Sequence, residues 1–406
     1  MPLKLMFFIA FCVAIATPSD NVAQTPAAPS TPAAVSRPED RREFRFLSTS
    51  KVATMEKELN ERAAEGFRLD RVSKTVLSGD LAVLVVRDPS AQEGIHEEYK
   101  IISTMRAGTM EKEIVDAGTQ GYELRGLISM FRPGITLLGV GDETAAVMER
   151  PKDQKTARFE YKLLSTRRES TTQKELDQAV DAGFTPFDII LGQDNGAKSL
   201  LLGPQYVITI ILGRAVETAA GNAPTREYKF LRTAKVGTME KEMNQAVKEG
   251  YRYFMSAANL LMLMSRERGV KEPAKYQYKL LATRRTGTMQ KELFAEGRNG
   301  YRYLATTSGL GGLTTVLEQD LSLDAKQRRR EYKLLAATRE KTTQKEISEA
   351  LSAGYELLDL TTLGEFIIIL DRKDESEPFL SRLIGSKNQS ELISNVRNYS
   401  KVTGDK

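Results

Sequence analysis

Read only as hydrophobic and polar positions, the chain repeats one pattern six times between Phe44 and Lys373. Each copy opens on an aromatic residue followed by a base and two apolar residues, at Phe44, Tyr99, Tyr161, Tyr228, Tyr278 and Tyr332. In every copy a second aromatic falls 23 residues later, at Phe67, Tyr122, Phe184, Tyr251, Tyr301 and Tyr355, and glycine always precedes it. The opening run predicts a strand. Apolar residues then recur with helical spacing, as at Met239, Met243 and Val247, which predicts a short amphipathic helix. The threonines Thr54, Thr109, Thr171, Thr238, Thr288 and Thr342 suit the N-cap of that helix. The glycine is the expected stop, because a left-handed residue after a helix is least strained as glycine. Two further extended runs follow, about Tyr355–Thr362 and Phe366–Asp371 in the sixth copy. The unit is therefore βαββ.

The last strands, "LAVLVV" and "FIIIL", are apolar at consecutive positions, where a half-exposed sheet would alternate. Both faces of each sheet should then be buried, and the unit's own helix covers only one of them. A unit this short is also marginal as an independent domain. The expected fold class is α+β: six tandem βαββ units, each a three-stranded sheet with one helix, packed against one another in pairs. The units are placed at 44–88, 99–150, 159–214, 226–268, 276–320 and 331–373, with longer hairpin tips in the second and third. The Tyr-Lys opening, the short Leu-rich helix and the Gly-aromatic turn resemble a family of small bacterial domains of unknown function, number four-one-seven-seven. That family carries tryptophan in the turn, where this chain has Tyr or Phe throughout. The resemblance implies the same fold and brings no catalytic residue with it.

Outside the repeats, Lys4 precedes an apolar run from Leu5 to Ala16 that ends in Ala14-Ile15-Ala16. This predicts a secretory signal at 1–16 cleaved near Ala16, followed by a Pro/Ala-rich linker at 17–43. The chain is then expected to be exported, to the periplasm or beyond the cell, with no stable membrane span. The tail at 374–406 has helical spacing across Leu380, Leu383 and Ile384, and again across Leu392, Ile393 and Val396. The single cysteine, Cys12, lies inside the signal, so the processed chain has no thiol for a disulfide, a nucleophile or a metal. His96 is the only histidine. The formal net charge of +5 falls to +4 once Lys4 is removed, far from the basic footprint of a nucleic-acid binder.

Three polar features recur and could carry chemistry. A base follows the opening aromatic in every copy, and a Lys-Glu pair lies in every helix, from Lys57-Glu58 to Lys345-Glu346. Six equivalent carboxylates read as ion pairs or solvated edges rather than as one general acid or base. Basic residues also occupy the turn before each helix. Copies three, five and six place two bases there and a neutral Gln173, Gln290 or Gln344 in the first helical turn. Arg167, Arg168, Arg284, Arg285, Arg339 and Lys341 are accordingly the candidate anion-binding residues, free of the carboxylate (Glu56, Glu111, Glu240) that the other copies place by the helix dipole. No catalytic residue, metal site or cofactor is expected. The favoured function is a non-catalytic exported scaffold for a protein partner. The alternatives are binding of an anionic polysaccharide or cell-wall polymer, and a carboxylate-dependent exported hydrolase.

Overall fold

The computed structural model describes residues 42–73, 75–76, 80–88, 96–104, 107–133, 140–152, 158–194, 205–216, 226–258, 260–309 and 312–373. The signal segment, the linker through residue 41, the tail from 374, Arg106 and much of the two long hairpin tips lie outside the described residues. The chain divides into two compact units, 1–37 and 38–406, and all described residues belong to the second.

Each repeat forms the expected elements. Unit 1 is β1 (Glu43–Thr49), α1 (Val52–Ala64), β2 (Arg68–Val72), the short β3 (Thr75–Val76) and β4 (Leu81–Arg87). Unit 2 is β5 (Glu97–Thr104), α2 (Ala107–Thr119), β6 (Glu123–Pro133) and β7 (Val140–Pro151), and unit 3 is β8 (Phe159–Thr166), α3 (Glu169–Asp181), β9 (Thr185–Asp194) and β10 (Gln205–Ala215). Unit 4 is β11 (Arg226–Arg232), α4 (Val236–Lys248), β12 (Arg252–Ala257) and β13 (Leu261–Glu267). Unit 5 is β14 (Tyr276–Thr283), α5 (Thr286–Arg298), β15 (Arg302–Gly309) and β16 (Gly312–Asp320). A one-turn α6 (Ala325–Arg328) then leads into unit 6, with β17 (Arg330–Ala337), α7 (Glu340–Ser352), β18 (Glu356–Thr362) and β19 (Phe366–Lys373).

The helix ends behave as the glycines require: Gly66, Gly121, Gly183, Gly250, Gly300 and Gly354 all have φ between +79° and +88°. At the first, Phe67 N–H bonds to the Arg62 carbonyl and Gly66 N–H to that of Ala63, a Schellman closure. The helix starts differ from the threonine reading. The N-cap residues are Lys51, Arg168, Lys235, Arg285 and Arg339, in extended backbone and with no side-chain cap bond. Thr54, Thr238 and Thr288 therefore sit in the first turn. Val52 and Val236 pack on the core just ahead of them, which draws the chain into helix three residues early.

In every unit the third long strand lies centrally and runs antiparallel to both others, and β3 adds a parallel edge to the sheet of unit 2. Each second strand carries one extra residue at the same place, a bulge at Asp70, Arg125, Phe187, Phe254, Leu304 or Leu358. The consecutive apolar residues of the central strand have a clear destination. Leu81, Val83 and Val85 face a core shared with unit 2, whereas Ala82 and Leu84 face a core shared with unit 6. Six such cores are found among the described residues, one at every junction between neighbouring units. No core belongs to one unit alone.

The sixth core closes the chain on itself. Phe46 and Phe366 meet edge to face with centroids 4.8 Å apart, joining the first unit to the last. Each long helix lies between its own sheet and the first strand of the next unit, α7 against β1 included. The second strands touch their counterparts on both sides without a helix between them. The sheets are thus splayed where the helices sit and converge where the second strands meet. Six wedges of this shape form a ring, with second strands inside and helices outside.

The ring also repeats in halves. Unit 4 restates unit 1 ("KVGTMEKEMN" for "KVATMEKELN"), and unit 6 restates the "TTQKE" of unit 3. Units 2 and 5 share a helical glycine, Gly118 or Gly297, against which the next unit's tyrosine ring is laid. Units 1–3 and 4–6 are therefore two copies of a three-unit block.

Candidate functional site

The recurring polar residues are used first at the junctions. The first strand of each unit is an edge strand, with backbone groups that its own sheet leaves open. The preceding helix answers them with side chains. Gln290 donates to the Tyr332 carbonyl (2.9 Å) and accepts from Leu334 N–H. Gln173 does the same for Tyr228 and Phe230, and Gln344 for Phe44 and Phe46, across the ring closure. A glutamate can only accept. Glu56 takes Ile101 N–H and Glu240 takes Leu280 N–H, and in those helices an asparagine one turn on supplies the donor. Asn60 holds both Tyr99 N–H and C=O, and Asn244 both Tyr278 N–H and C=O, each at 2.9 Å. The Gln/Glu split that reads from sequence as a difference at the helix dipole thus has an inter-unit role.

Tyrosine adds a second link. Tyr99, Tyr161, Tyr278 and Tyr332 accept, through the hydroxyl, from the backbone N–H of Leu69, Leu124, Tyr253 and Tyr303 in the preceding unit. Burial raises the pKa of all four hydroxyls. The bond is absent from the two junctions that join the halves. Pro186 has no N–H to offer Tyr228, and Phe44 has no hydroxyl.

Within the units, an arginine near the end of the third strand closes a clamp that sequence reading missed. Arg150 pairs with Glu98 (2.7 Å), stacks on Tyr122 (4.3 Å) and donates to the Gln120 carbonyl at the helix end. Arg87, Arg214, Arg266 and Arg372 repeat this with Glu43, Glu160, Glu227 and Glu331. The signal was the glutamate preceding each opening aromatic; only unit 5 replaces the pair, with Gln277 and Gln319. The strand lysines also stay inside their units, Lys229 with Glu249 at 2.7 Å and Lys279 with Glu296 at 2.6 Å.

Five of the candidate anion residues precede their helices, whereas Lys341 lies in the first turn of α7. The early helix starts also place Glu169 and Glu340 in the first turns of α3 and α7, so copies three and six do carry a carboxylate at the helix dipole, while Glu56 and Glu240 lie beyond the first turn. Arg168, Arg285 and Arg339 are N-caps whose carbonyls accept from the first helical turn, and all six side chains are exposed. They stand on three units: Arg167 and Arg168 on unit 3, Arg284 and Arg285 on unit 5, and Arg339 and Lys341 on unit 6. His96 is exposed, with Nδ1 3.0 Å from the Ala63 carbonyl oxygen. No group of three or more His, Cys, Asp or Glu side chains placed to hold a metal occurs among the described residues.

Among the described residues, a concave site lies elsewhere. A cavity of about 390 Å³ opens where units 3, 4 and 5 meet, lined by Arg226, Arg252, Arg302, Tyr228, Phe254 and Ser265, among others. Its floor is Glu318, only 2% exposed. Arg252 grips that carboxylate with two nitrogens (3.0 and 2.7 Å), Arg302 adds a bond at 3.0 Å, and the Tyr278 hydroxyl adds one at 2.8 Å. The hydrogen bonds to Glu318 raise the Arg252 pKa still further above its ordinary value. The Arg252 guanidinium also lies 4.0 Å above the Tyr276 ring, so it is held on both sides.

Among the described residues, fold and site together define a closed ring of six βαββ units with a basic cavity where units 3, 4 and 5 meet. The chain matches no protein-family model and no curated protein sequence.

Proposed function

We propose that the chain is a non-catalytic exported scaffold whose ring presents a continuous surface to a protein partner. The reading is carried by the use of its repeated polar groups: the first-turn Glu or Gln, the opening tyrosine and the Glu–Arg clamp hold units together or hold their helices in place. Residues engaged in this way form a frame, and the exposed turns outside the ring are then open to vary. Export rests on the apolar run ending at Ala16, and the likeness of each unit to domain family four-one-seven-seven fits a modular role.

The test is cross-linking in the native cell envelope, with the wild-type chain and with Phe46→Asp, which places a charge in the closure core. A defined polypeptide joined to the wild type and lost with the variant supports a ring-dependent scaffold. Recovery of the protein in the cytosol with Met1 intact would overturn export, and turnover of an envelope glycan by the purified protein would overturn the non-catalytic reading.

A further inference from the structure

We infer that the cavity between units 3, 4 and 5 is a binding site for a compact cyclic carboxylate of the hexuronic acid class. The inference goes beyond the scaffold reading and does not depend on it. Glu318 already accepts four hydrogen bonds, about the capacity of a carboxylate. Its charge is answered by Arg252, and the cavity lining still holds two more guanidinium groups. Arg226 donates to the uncharged hydroxyl of Ser265 at 2.9 Å, which fixes its position without neutralising it. Arg302 gives Glu318 one nitrogen only, and its side chain is 53% exposed toward the opening. Asp320, half-buried and held by Ser322, adds one carboxylate in the vicinity, and Asp371 beyond Arg302 has Arg330 at 3.4 Å. With Asp320 counted beside the lining, three guanidinium groups face two carboxylates, and the local balance remains positive.

The other half of the ring is an internal control. The same frame places Arg42, Arg68 and Arg125 there, but against Asp70, Glu123, Glu149 and Glu356. Glu123 stands where the cavity has Arg302, and Glu356 where it has Thr185. The same fold is thus built with the opposite local charge, so the ring does not require the positive excess. The bulges sharpen the difference. A bulge re-aims the side chain it carries, and Phe254 and Leu304, both bulge residues, line the cavity where the twin has Asp70 and Arg125. Apolar surface from Phe254 and Tyr228 beside guanidinium groups and the Ser265 hydroxyl suits a sugar ring that carries one acid group.

The experiment is calorimetric titration of the full chain with galacturonic acid, with neutral galactose, with inorganic phosphate and with an oligogalacturonate. Galacturonic acid should bind and galactose should not. Arg302→Met and Arg226→Met should each weaken binding about tenfold, the loss of one charge-assisted hydrogen bond, whereas Arg68→Met at the twin position should change nothing. Arg252 is left intact because it holds Glu318, and an unchanged thermal transition shows that each variant keeps the ring. Equal weakening by Arg68→Met, phosphate binding as tight as the uronate, or retention of the oligomer alone would overturn the assignment. So would the absence of binding.

Discussion

The junction chemistry can be tested by moving one solution into the place of another. At the junction of units 4 and 5, Asn244 makes two bonds to the edge strand, to Tyr278 N–H and C=O, while Glu240 accepts from Leu280 N–H. Asn244→Ala leaves one donor and one acceptor of a part-buried edge without partners. Each net hydrogen bond contributes about 1 kcal/mol and an orphaned group costs about as much again in a dry site. Partial solvent access brings the expected loss to about 2 kcal/mol. One junction later, Gln290 serves both the carbonyl and the N–H by itself. Glu240→Gln introduced into the Asn244→Ala background should therefore recover about 1 kcal/mol by donating to the Tyr278 carbonyl. The same change in wild type should be close to neutral, because Asn244 already occupies that acceptor. The assay is urea unfolding of the four proteins of a double-mutant cycle. Strict additivity, with Glu240→Gln no more helpful beside alanine than beside asparagine, would refute the account of the split.

Gly297→Ala reverses an ordinary rule: alanine normally stabilises a helix interior by about 1 kcal/mol, but here its Cβ would fall 2.8 Å from the Tyr332 ring and against the Arg330 carbonyl. A loss of about 2 kcal/mol is expected, and a higher melting temperature would contradict the packing. Residues 226–373, one three-unit block, should pair with a second copy into a six-unit ring, and a folded monomer in sedimentation would count against the equivalence of the halves. The buried tyrosines should make the protein alkali-sensitive. Burial raises the pKa of Tyr278 and Tyr332, and burial with a hydrogen bond to Glu331 pushes Tyr355 up to about 12. Above pH 10 the unfolded chain releases these protons while the fold retains them, so stability present below pH 10 is lost as pH rises. The slope is at most about 1.4 kcal/mol per tyrosine per pH unit. Urea midpoints at pH 9 and 11 measure it, and Tyr278→Phe should lessen the slope.

Much of the fold was legible because each signal was local. The glycine before each second aromatic marks a left-handed helix end whatever lies around it, and consecutive apolar residues in "FIIIL" require two covered faces. What covers the second face was not legible, since Phe46 meets Phe366 across 320 positions and no periodicity carries that pairing. Helix starts were misread because Val52 packs on a core shared with the next unit, a tertiary effect that overrides the threonine preference. The cavity was missed for the same reason. Arg252 and Arg302 sit one residue beyond each Gly-aromatic pair, in plain view, but their convergence on Glu318 needs the register of β16 and the contact of two second strands.

The closure at β1 has a consequence for the order of events during synthesis. The hydrogen bonds between Gln344 and the first strand, one accepted from Phe46 N–H and one donated to the Phe44 carbonyl, join residues 298 and 300 positions apart. Unit 1 therefore leaves the ribosome long before α7 exists to cover it. Until then Phe46, Ala82 and Leu84 form one face of a sheet with nothing against it. A nascent chain of this design carries an uncovered apolar end throughout its elongation, and its completion is set by arrival of the last helix rather than by growth of a first nucleus.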